Sequence, residues 1–517
     1  MATLAEFRSS LDALAHAAPG AVLSDAATLE LYGQDVFSVG ARPLAVFRPR
    51  STAELVAGVR EAAREGLVLV PRGGGMSYTS GYLHAEAGAV VVDTAAMTRI
   101  VRVDETDARV RVEAGVTWAQ LFAALSPRGL RTPMWGTLSG AKATIGGGCS
   151  QNGTFWGARN GSIAAQALSF GVIDANGDLI ETNPGAIRPF GPDLTGLYGG
   201  DCGAFGIKAE ITLPLVPIPG GVAYGSFSFD APGPMAAAMS RIAREGLASE
   251  CFGFDPFLAG QRARRDSLAA DAKQLVGLMR AQGGFWRALK EGAKVAAAGR
   301  GFIAEAGFQI HLIAEGRMQA AADADMAAAR AIVAEAGGRE IEASNPKILR
   351  ANPFPPVNSM LGPEGERWAP VHGIVRHSQA AHAVAAITAL YEARAGAMQR
   401  LGVGAGYMFL AVPHSAILIE PVFYWPEPHQ ALHRASVEPA YLARLRSFPA
   451  VAGARELVDE LRAEVIALFA RLEATHFQIG RAYPLLPRLG VGARAMLRAV
   501  KDAADPAARM NPGVLGL

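Results

Sequence analysis

Cysteine is scarce in this chain: Cys149, Cys202 and Cys251 are the only three in 517 residues. An odd number without paired spacing excludes a disulfide framework and a thiolate zinc site, and fits a reducing compartment. Charge bias is missing too. With 49 basic and 47 acidic side chains the net charge is +2, too small for the global basic field that holds a nucleic-acid backbone. No apolar run approaches the roughly 20 residues that span a bilayer. Met1 to Leu23 lacks the basic head, apolar stretch and cleavage site of a secretion signal, so the chain is expected in the cytoplasm. No repeat of 20 to 50 residues marks a solenoid.

Glycine, by contrast, is abundant and unevenly placed. It makes up 59 of 517 residues, and 25 of these fall within residues 71–220. Half the composition is hydrophobic, enough to bury a large core and to exclude a disordered or fibrous chain. Between about 40 and 217 short strands and helices alternate, as in an α+β or α/β domain. Pro43–Pro49, Leu67–Val70, Ala89–Asp93, Arg99–Val103, Arg109–Glu113 and Lys208–Leu215 read as strands. Thr52–Glu65 and Trp118–Ser126 read as helices, the first capped by Ser51 or Thr52. Gly171–Gly177 contains an Asn-Gly hairpin signal, and Pro214–Pro219 reads as a linker. Residues 221–450 alternate alanine-rich helices (Pro234–Glu245, Asp271–Gly299, Gln319–Gly337, Ser378–Gly402) with apolar strands such as Gly307–Ala314 and Tyr407–Val412. This predicts a second α+β domain. The expected organisation is a helical lead-in over 1–40, a glycine-rich domain over 41–217, a second domain over 218–450 and a helical tail over 451–517.

Two glycine runs carry the chemistry. Arg72-Gly-Gly-Gly-Met-Ser77 follows a strand, and Thr144-Ile-Gly-Gly147 leads into Asn152-Gly153, Gly157 and Arg159-Asn-Gly161. Neither has the spacing of a dinucleotide fingerprint or the Gly-Lys-Ser/Thr end of a Walker loop. Both offer backbone amides without side chains, the setting of an anion nest. Two nests in one domain suit a long diphosphate ligand.

In order, Pro49–Glu54, Pro71–Ser77, Thr144–Gly147, Gly203-Ala-Phe-Gly-Ile207 and Ile211–Leu213 resemble the FAD-binding domain of the vanillyl-alcohol oxidase/p-cresol methylhydroxylase superfamily. The terminal Asn511–Leu517 is similar to the carboxyl end of its D-lactate dehydrogenase-like, FAD-linked oxidase branch. The resemblance implies a two-part FAD-binding domain of the p-cresol methylhydroxylase type, a second α+β cap domain for substrate, and a helical C-terminal segment returning to the flavin. It places the FAD diphosphate on Arg72, Gly73, Gly74, Gly75, Met76 and Ser77, and on Thr144, Ile145, Gly146 and Gly147. Gly157, Arg159, Gly161 and Ile163 would line the adenosine or flavin side, Asn152 is a further cofactor-binding residue, Gly203, Gly206 and Ile207 would support the cofactor, and Asn511 would approach the isoalloxazine ring. Met76 stands where some members carry a flavin-linked histidine, and a thioether forms no such bond, so FAD is expected to be non-covalent.

By the same resemblance, His476 and Arg481 of Ala474–Arg481 are candidate catalytic residues, Arg481 as a carboxylate clamp. His414 and Glu420 flank a predicted strand, six residues apart, and are expected to share one face and line the substrate pocket. Two possible ligands without a third make a weak metal site. Trp368–Ser378 is a second polar-dense stretch, and Tyr407, Tyr424 and Trp425 are candidates for an aromatic substrate wall. Residues 259–300, with nine basic and three acidic side chains between Arg262 and Arg300, read as a helical insertion that either packs conventionally or lies on an anionic membrane. The expected activity is oxidation of a small alcohol, foremost a D-2-hydroxy acid such as lactate, with electrons passed to a cytochrome, quinone or other acceptor. Para-substituted phenol oxidation and a non-redox synthase using flavin as a covalent trap are the alternatives. Self-association into a homo-oligomer is a further partner expectation.

Overall fold

The computed structural model describes residues 4–84, 86–188, 191–265 and 307–517. Most of the basic insertion, and the helix expected over Asp271–Gly299, lie outside the described residues. Among the described residues no helix is long and apolar enough to cross a membrane.

The architecture is α+β and rests on three main sheets. In the first, Ala45–Phe47, Ala89–Asp93 and Val68–Arg72 run parallel, with the short strand Val22–Leu23 on one edge. The central strand Ala89–Asp93 is buried at every position, which is why it reads as an unbroken apolar run. The helix Thr52–Arg64 makes the crossover, with the Ser51 hydroxyl accepting the Glu54 amide at its start. The second sheet is antiparallel, in the order Ile100–Asp104, Arg109–Glu113, Ile207–Pro214, Ser169–Ile173, Leu179–Glu181. The last two strands form the expected hairpin around Asn176-Gly177.

The third sheet is antiparallel and has eight strands. Toward one edge lies the hairpin Gly404–Val412 and Ala416–Trp425, flanked on its outer side by Arg367–Pro370 and Gly373–Arg376. Alternation along Ala416–Trp425 divides its two faces. Ile417, Ile419, Phe423 and Trp425 pack in one core with residues of the helices Pro232–Glu245, Ala380–Leu401 and Ala454–Arg471. Leu418, Val422 and Tyr424 pack instead against Trp135, Phe155 and Trp156 of the glycine-rich part. Of the three aromatics expected to form a wall, Tyr407 and Trp425 belong to the helix-covered core and only Tyr424 turns toward the glycine-rich part.

The C-terminal segment comes back to the first sheet. The Leu69 amide donates to the Arg509 carbonyl and the Asn511 amide to the Leu69 carbonyl, both across more than 400 residues of chain. Lys501, on the helix Val491–Ala504, donates to the carbonyls of Ala204 and Met510 and pairs with Asp505.

Candidate functional site

The strand Val68–Arg72 ends in Gly73-Gly-Gly75, which lies against the second glycine run. A Cβ on Gly74 would meet the Lys142 carbonyl oxygen at 1.9 Å, and one on Gly73 would meet Thr144 Oγ1 at 2.4 Å. Gly75 has φ +70°, a conformation open to glycine at no steric cost. The two runs border one cleft with an empty volume of about 860 Å³. Its lining contains Arg72, Gly73, Gly74, Gly75, Met76 and Ser77, then Thr144, Gly146 and Gly147, then Gly203, Gly206 and Ile207.

The two runs do different work. Among the described residues, the amides of Gly74, Gly75, Met76 and Ser77 reach no acceptor. Those of the second run are spent internally: Gly146 donates to the Ala114 carbonyl, Gly147 to Thr144 Oγ1 and Gly148 to the Thr144 carbonyl. The first run therefore keeps the open amides an anion nest requires, and the second contributes bare backbone that lets the first approach. Arg72 adds positive charge, its guanidinium 4.2 Å from the Tyr32 ring centroid and its buried Nε without a partner. Lys208, also at the cleft, is held by Asp201 in a fully buried pair at 2.5 Å. Open amides, an arginine whose Nε is unpartnered and glycines that leave no room for a Cβ fit a bound diphosphate.

Several residues expected at the cofactor stand elsewhere. Ile145 and Ile163 are core residues at 0% and 1% exposure, because each is the apolar face of a short helix. Asn152 closes the helix Ile145–Gln151 at φ +54°, its side chain accepting the Ala164 amide. Gly157 donates its amide to buried Glu250 and backs onto Pro133. Arg159 is exposed, and it and Gly161 lie outside the cleft lining. Asn511 does not face the cleft. It is 0% exposed, donates to the carbonyls of Gly81 and Cys202, and accepts from Arg481.

Arg481 is correspondingly unavailable as a carboxylate clamp. Its Nη1 donates to Ser80 and Gly81 carbonyls and its Nη2 to Asn511 and the Pro512 carbonyl, so it braces the tail against the glycine loop. Asn511→Ala is expected to destabilise the FAD-loaded protein by about 2–3 kcal/mol, from the lost bonds and the carbonyls left unpaired. Urea unfolding checks this, and a spectral change of the flavin without loss of stability would restore a role at the ring.

His414 and Glu420 do not share a face. His414 occupies the hairpin turn at φ +52° and is exposed, because the chain reverses between Val412 and Ala416. Glu420 is within the strand, 8% exposed, and near enough to Tyr78 and Tyr483 for its charge to raise the pKa of both hydroxyls. Its carboxyl has no hydrogen-bond partner among the described residues, and burial pushes its pKa up to about 8. Tyr78 directly follows the nest, and Gln478, which lines the cleft, lies beside its hydroxyl.

His372 holds Tyr483. Its Nε2 contacts the Phe477 carbonyl at 2.5 Å, so that nitrogen carries the proton, and Nδ1 accepts from the Tyr483 hydroxyl at 3.2 Å. Burial lowers the His372 pKa to about 3 and keeps the ring neutral. His476, expected as a catalyst, stands behind this pair. Its Nδ1 donates to the His372 carbonyl at 2.7 Å and its ring stacks on Tyr483 at 4.2 Å. Burial lowers its pKa to about 4. Tyr78, His372 and Tyr483 form a buried cluster that sequence reasoning missed. Position was a usable signal for Tyr78, one residue beyond the nest, and His372 lies within the polar stretch Trp368–Ser378. Among the described residues no group of three His, Cys, Asp or Glu is placed to hold a metal.

Comparison with known proteins agrees with the cleft. Residues 43–183 match the FAD binding domain family. This part of the chain is an FAD binding domain. The D-2-hydroxyglutarate dehydrogenase of Stutzerimonas stutzeri is 32% identical over 200 residues, 38% of this chain and 43% of that protein. The glycolate oxidase subunit GlcD of Bacillus subtilis is 32% identical over 179 residues, covering 34% of this chain and 38% of the subunit. The matched segments thus span less than half the length of these relatives. Among solved structures, p-cresol methylhydroxylase with substrate bound superposes with a TM-score of 0.71 at 15% identity, covering 100% of this chain and 98% of that one. An alkyldihydroxyacetonephosphate synthase gives 0.69 at 15% identity, covering 99% and 85%. The FAD binding domain and the fold together fit the vanillyl-alcohol oxidase/p-cresol methylhydroxylase superfamily.

Proposed function

We propose that the chain is an FAD-dependent dehydrogenase that oxidises the CH–OH carbon of a small alcohol, foremost a D-2-hydroxy acid such as D-lactate. Relatives named D-2-hydroxyglutarate dehydrogenase and D-lactate dehydrogenase support the substrate class. The observation that carries the chemistry is Glu420, a buried carboxyl without a hydrogen-bond partner among the described residues, set opposite Tyr78 and Tyr483. Bound FAD supplies the hydride acceptor. Ionised Glu420 takes the hydroxyl proton as the carbon is oxidised. The Tyr78 and Tyr483 hydroxyls orient the substrate oxygen, and the aromatic side chains around them exclude water. Arg72 and the amides of Gly74–Ser77 hold the diphosphate without a covalent link, and a cytochrome, quinone or other carrier takes the electrons.

One observation favours a second reading. Arg481 is committed to the tail, and Arg462 donates to the Pro370 carbonyl with its guanidinium 3.8 Å from the Phe37 ring centroid. Neither is poised for a substrate carboxylate, whereas two tyrosines and a buried carboxyl suit a neutral para-substituted phenol. Anaerobic titration with D-lactate, D-2-hydroxyglutarate and vanillyl alcohol separates the two by which compound bleaches the flavin. Turnover without any electron acceptor would instead support a non-redox synthase.

A further inference from the structure

The segment Gln34–Ser38 is a strap with no part in the cleft lining, yet it ties together both sides of the candidate site. Asp35 is 0% exposed. Its Oδ1 accepts the amides of Phe37 and Ser38 at 2.8 and 2.5 Å, closing the local turn. Its Oδ2 accepts the amide of Ser80 at 2.7 Å, across 45 residues. The Val36 amide donates to the Ser77 carbonyl at 3.1 Å. The strap therefore grips the chain on both sides of Tyr78.

Its other side is held by the third sheet and its helices. Arg367 donates to the carbonyls of Val36 and Phe37, both at 3.2 Å, and Arg455 to the Phe37 carbonyl at 3.0 Å. The Phe37 ring lies between the guanidinium groups of Arg455 and Arg462, at 3.9 and 3.8 Å from its centroid. Gln34 accepts the Leu432 amide at 3.0 Å.

A turn serving only its own stability needs the two local bonds. The third, to Ser80, holds a non-glycine residue at φ +56°, a backbone conformation that persists only where the surroundings enforce it. A buried carboxylate is also an expensive way to satisfy an amide unless the site uses it fully.

We propose that Asp35 is a positioning residue for Tyr78, and that the strap 34–38 couples the third sheet to the cofactor loop so that Tyr78 is held facing the substrate. This rests on the reading above that Tyr78 faces substrate. Asparagine offers one acceptor oxygen and turns an NH2 toward amide donors, so Asp35→Asn breaks the tie with little change in volume.

The test uses the full-length, FAD-loaded protein. In Asp35→Asn, hydrogen exchange of the peptide covering 77–82 is expected to quicken by about tenfold or more, the loss associated with a hydrogen bond to a charged group, while the peptide covering 145–151 is unchanged. Stopped-flow flavin reduction by whichever alcohol bleaches it slows in Asp35→Asn, and the double variant with Tyr78→Phe is no slower than Tyr78→Phe alone. Unchanged exchange at 77–82, or slowing that multiplies with that of Tyr78→Phe, overturns the proposal. If no alcohol reduces the flavin, the functional reading fails and the exchange experiment alone decides the strap. Should Asp35→Asn not fold, Phe37→Leu keeps the Asp35 bonds and removes the contacts to Arg455 and Arg462. It is expected to quicken exchange at 77–82, and unchanged exchange there overturns the coupling.

Discussion

Replacing Glu420 by glutamine is expected to slow substrate-driven flavin reduction by about 10²–10⁴-fold, the usual contribution of a positioned general base. Burial pushes the Glu420 pKa up to about 8, so its ionised fraction rises tenfold per pH unit below that value. Reduction in the unmodified protein should climb with pH and level off above about 8. In Glu420→Gln this limb should vanish and the residual rate should be flat with pH. Stability moves the other way. The folded state keeps Glu420 protonated at pH values where the unfolded chain has already released the proton. Ionisable burial at this position thus costs stability increasingly from the ordinary glutamate range up to about pH 8. The melting temperature of Glu420→Gln, relative to the unmodified protein, should therefore rise as pH goes from 5 to 9. A rate limb that survives in Glu420→Gln would assign the base elsewhere, with the Tyr78 and Tyr483 hydroxyls next in line.

Gly74→Ala should weaken FAD binding by about 10–100-fold. The added Cβ would stand 1.9 Å from the Lys142 carbonyl oxygen, a backbone atom that no rotamer change removes. Overpacking of this kind costs about 1–3 kcal/mol, and every 1.4 kcal/mol is a factor of ten in affinity. The cost falls on the cofactor because moving Gly74 moves the open amides that follow it. Gly233→Ala, where an added Cβ meets nothing within 4 Å, is the control and should leave the FAD dissociation constant unchanged. Flavin fluorescence on titration of the cofactor-stripped protein reads both. Equal affinity in Gly74→Ala and Gly233→Ala would mean that the diphosphate does not rest on this loop.

Much of the cleft was legible from residues alone because its determinants are contiguous. Arg72–Ser77 follows directly on the strand Val68–Arg72, and a run of glycines can serve few purposes other than close backbone approach. The same reasoning overreached at Gly146 and Gly147, where one-dimensional text does not show that the amides are already used by Ala114 and Thr144. It also overreached at His414, because strict alternation was carried past the point where the hairpin turns.

Local composition was thus sufficient to indicate an α+β chain, a diphosphate-binding cleft and the strand that bears Glu420, since periodicity and glycine placement act over a few residues. FAD itself came from the resemblance of the ordered motifs to a known family. Which polar side chains are free to act, and which gather beside the cleft, was decided by tertiary structure alone. Arg481 and Asn511 look like ligands in isolation, yet Arg481 spends its hydrogen bonds on carbonyls of the glycine loop and the tail and Asn511 donates to the carbonyls of Gly81 and Cys202. Tyr78, His372 and Tyr483 are more than 100 residues apart from one another in sequence, and only packing of the third sheet and the C-terminal segment against the glycine-rich part brings them together. A side chain's availability depends on what already satisfies it, and that inventory exists only once the chain has folded.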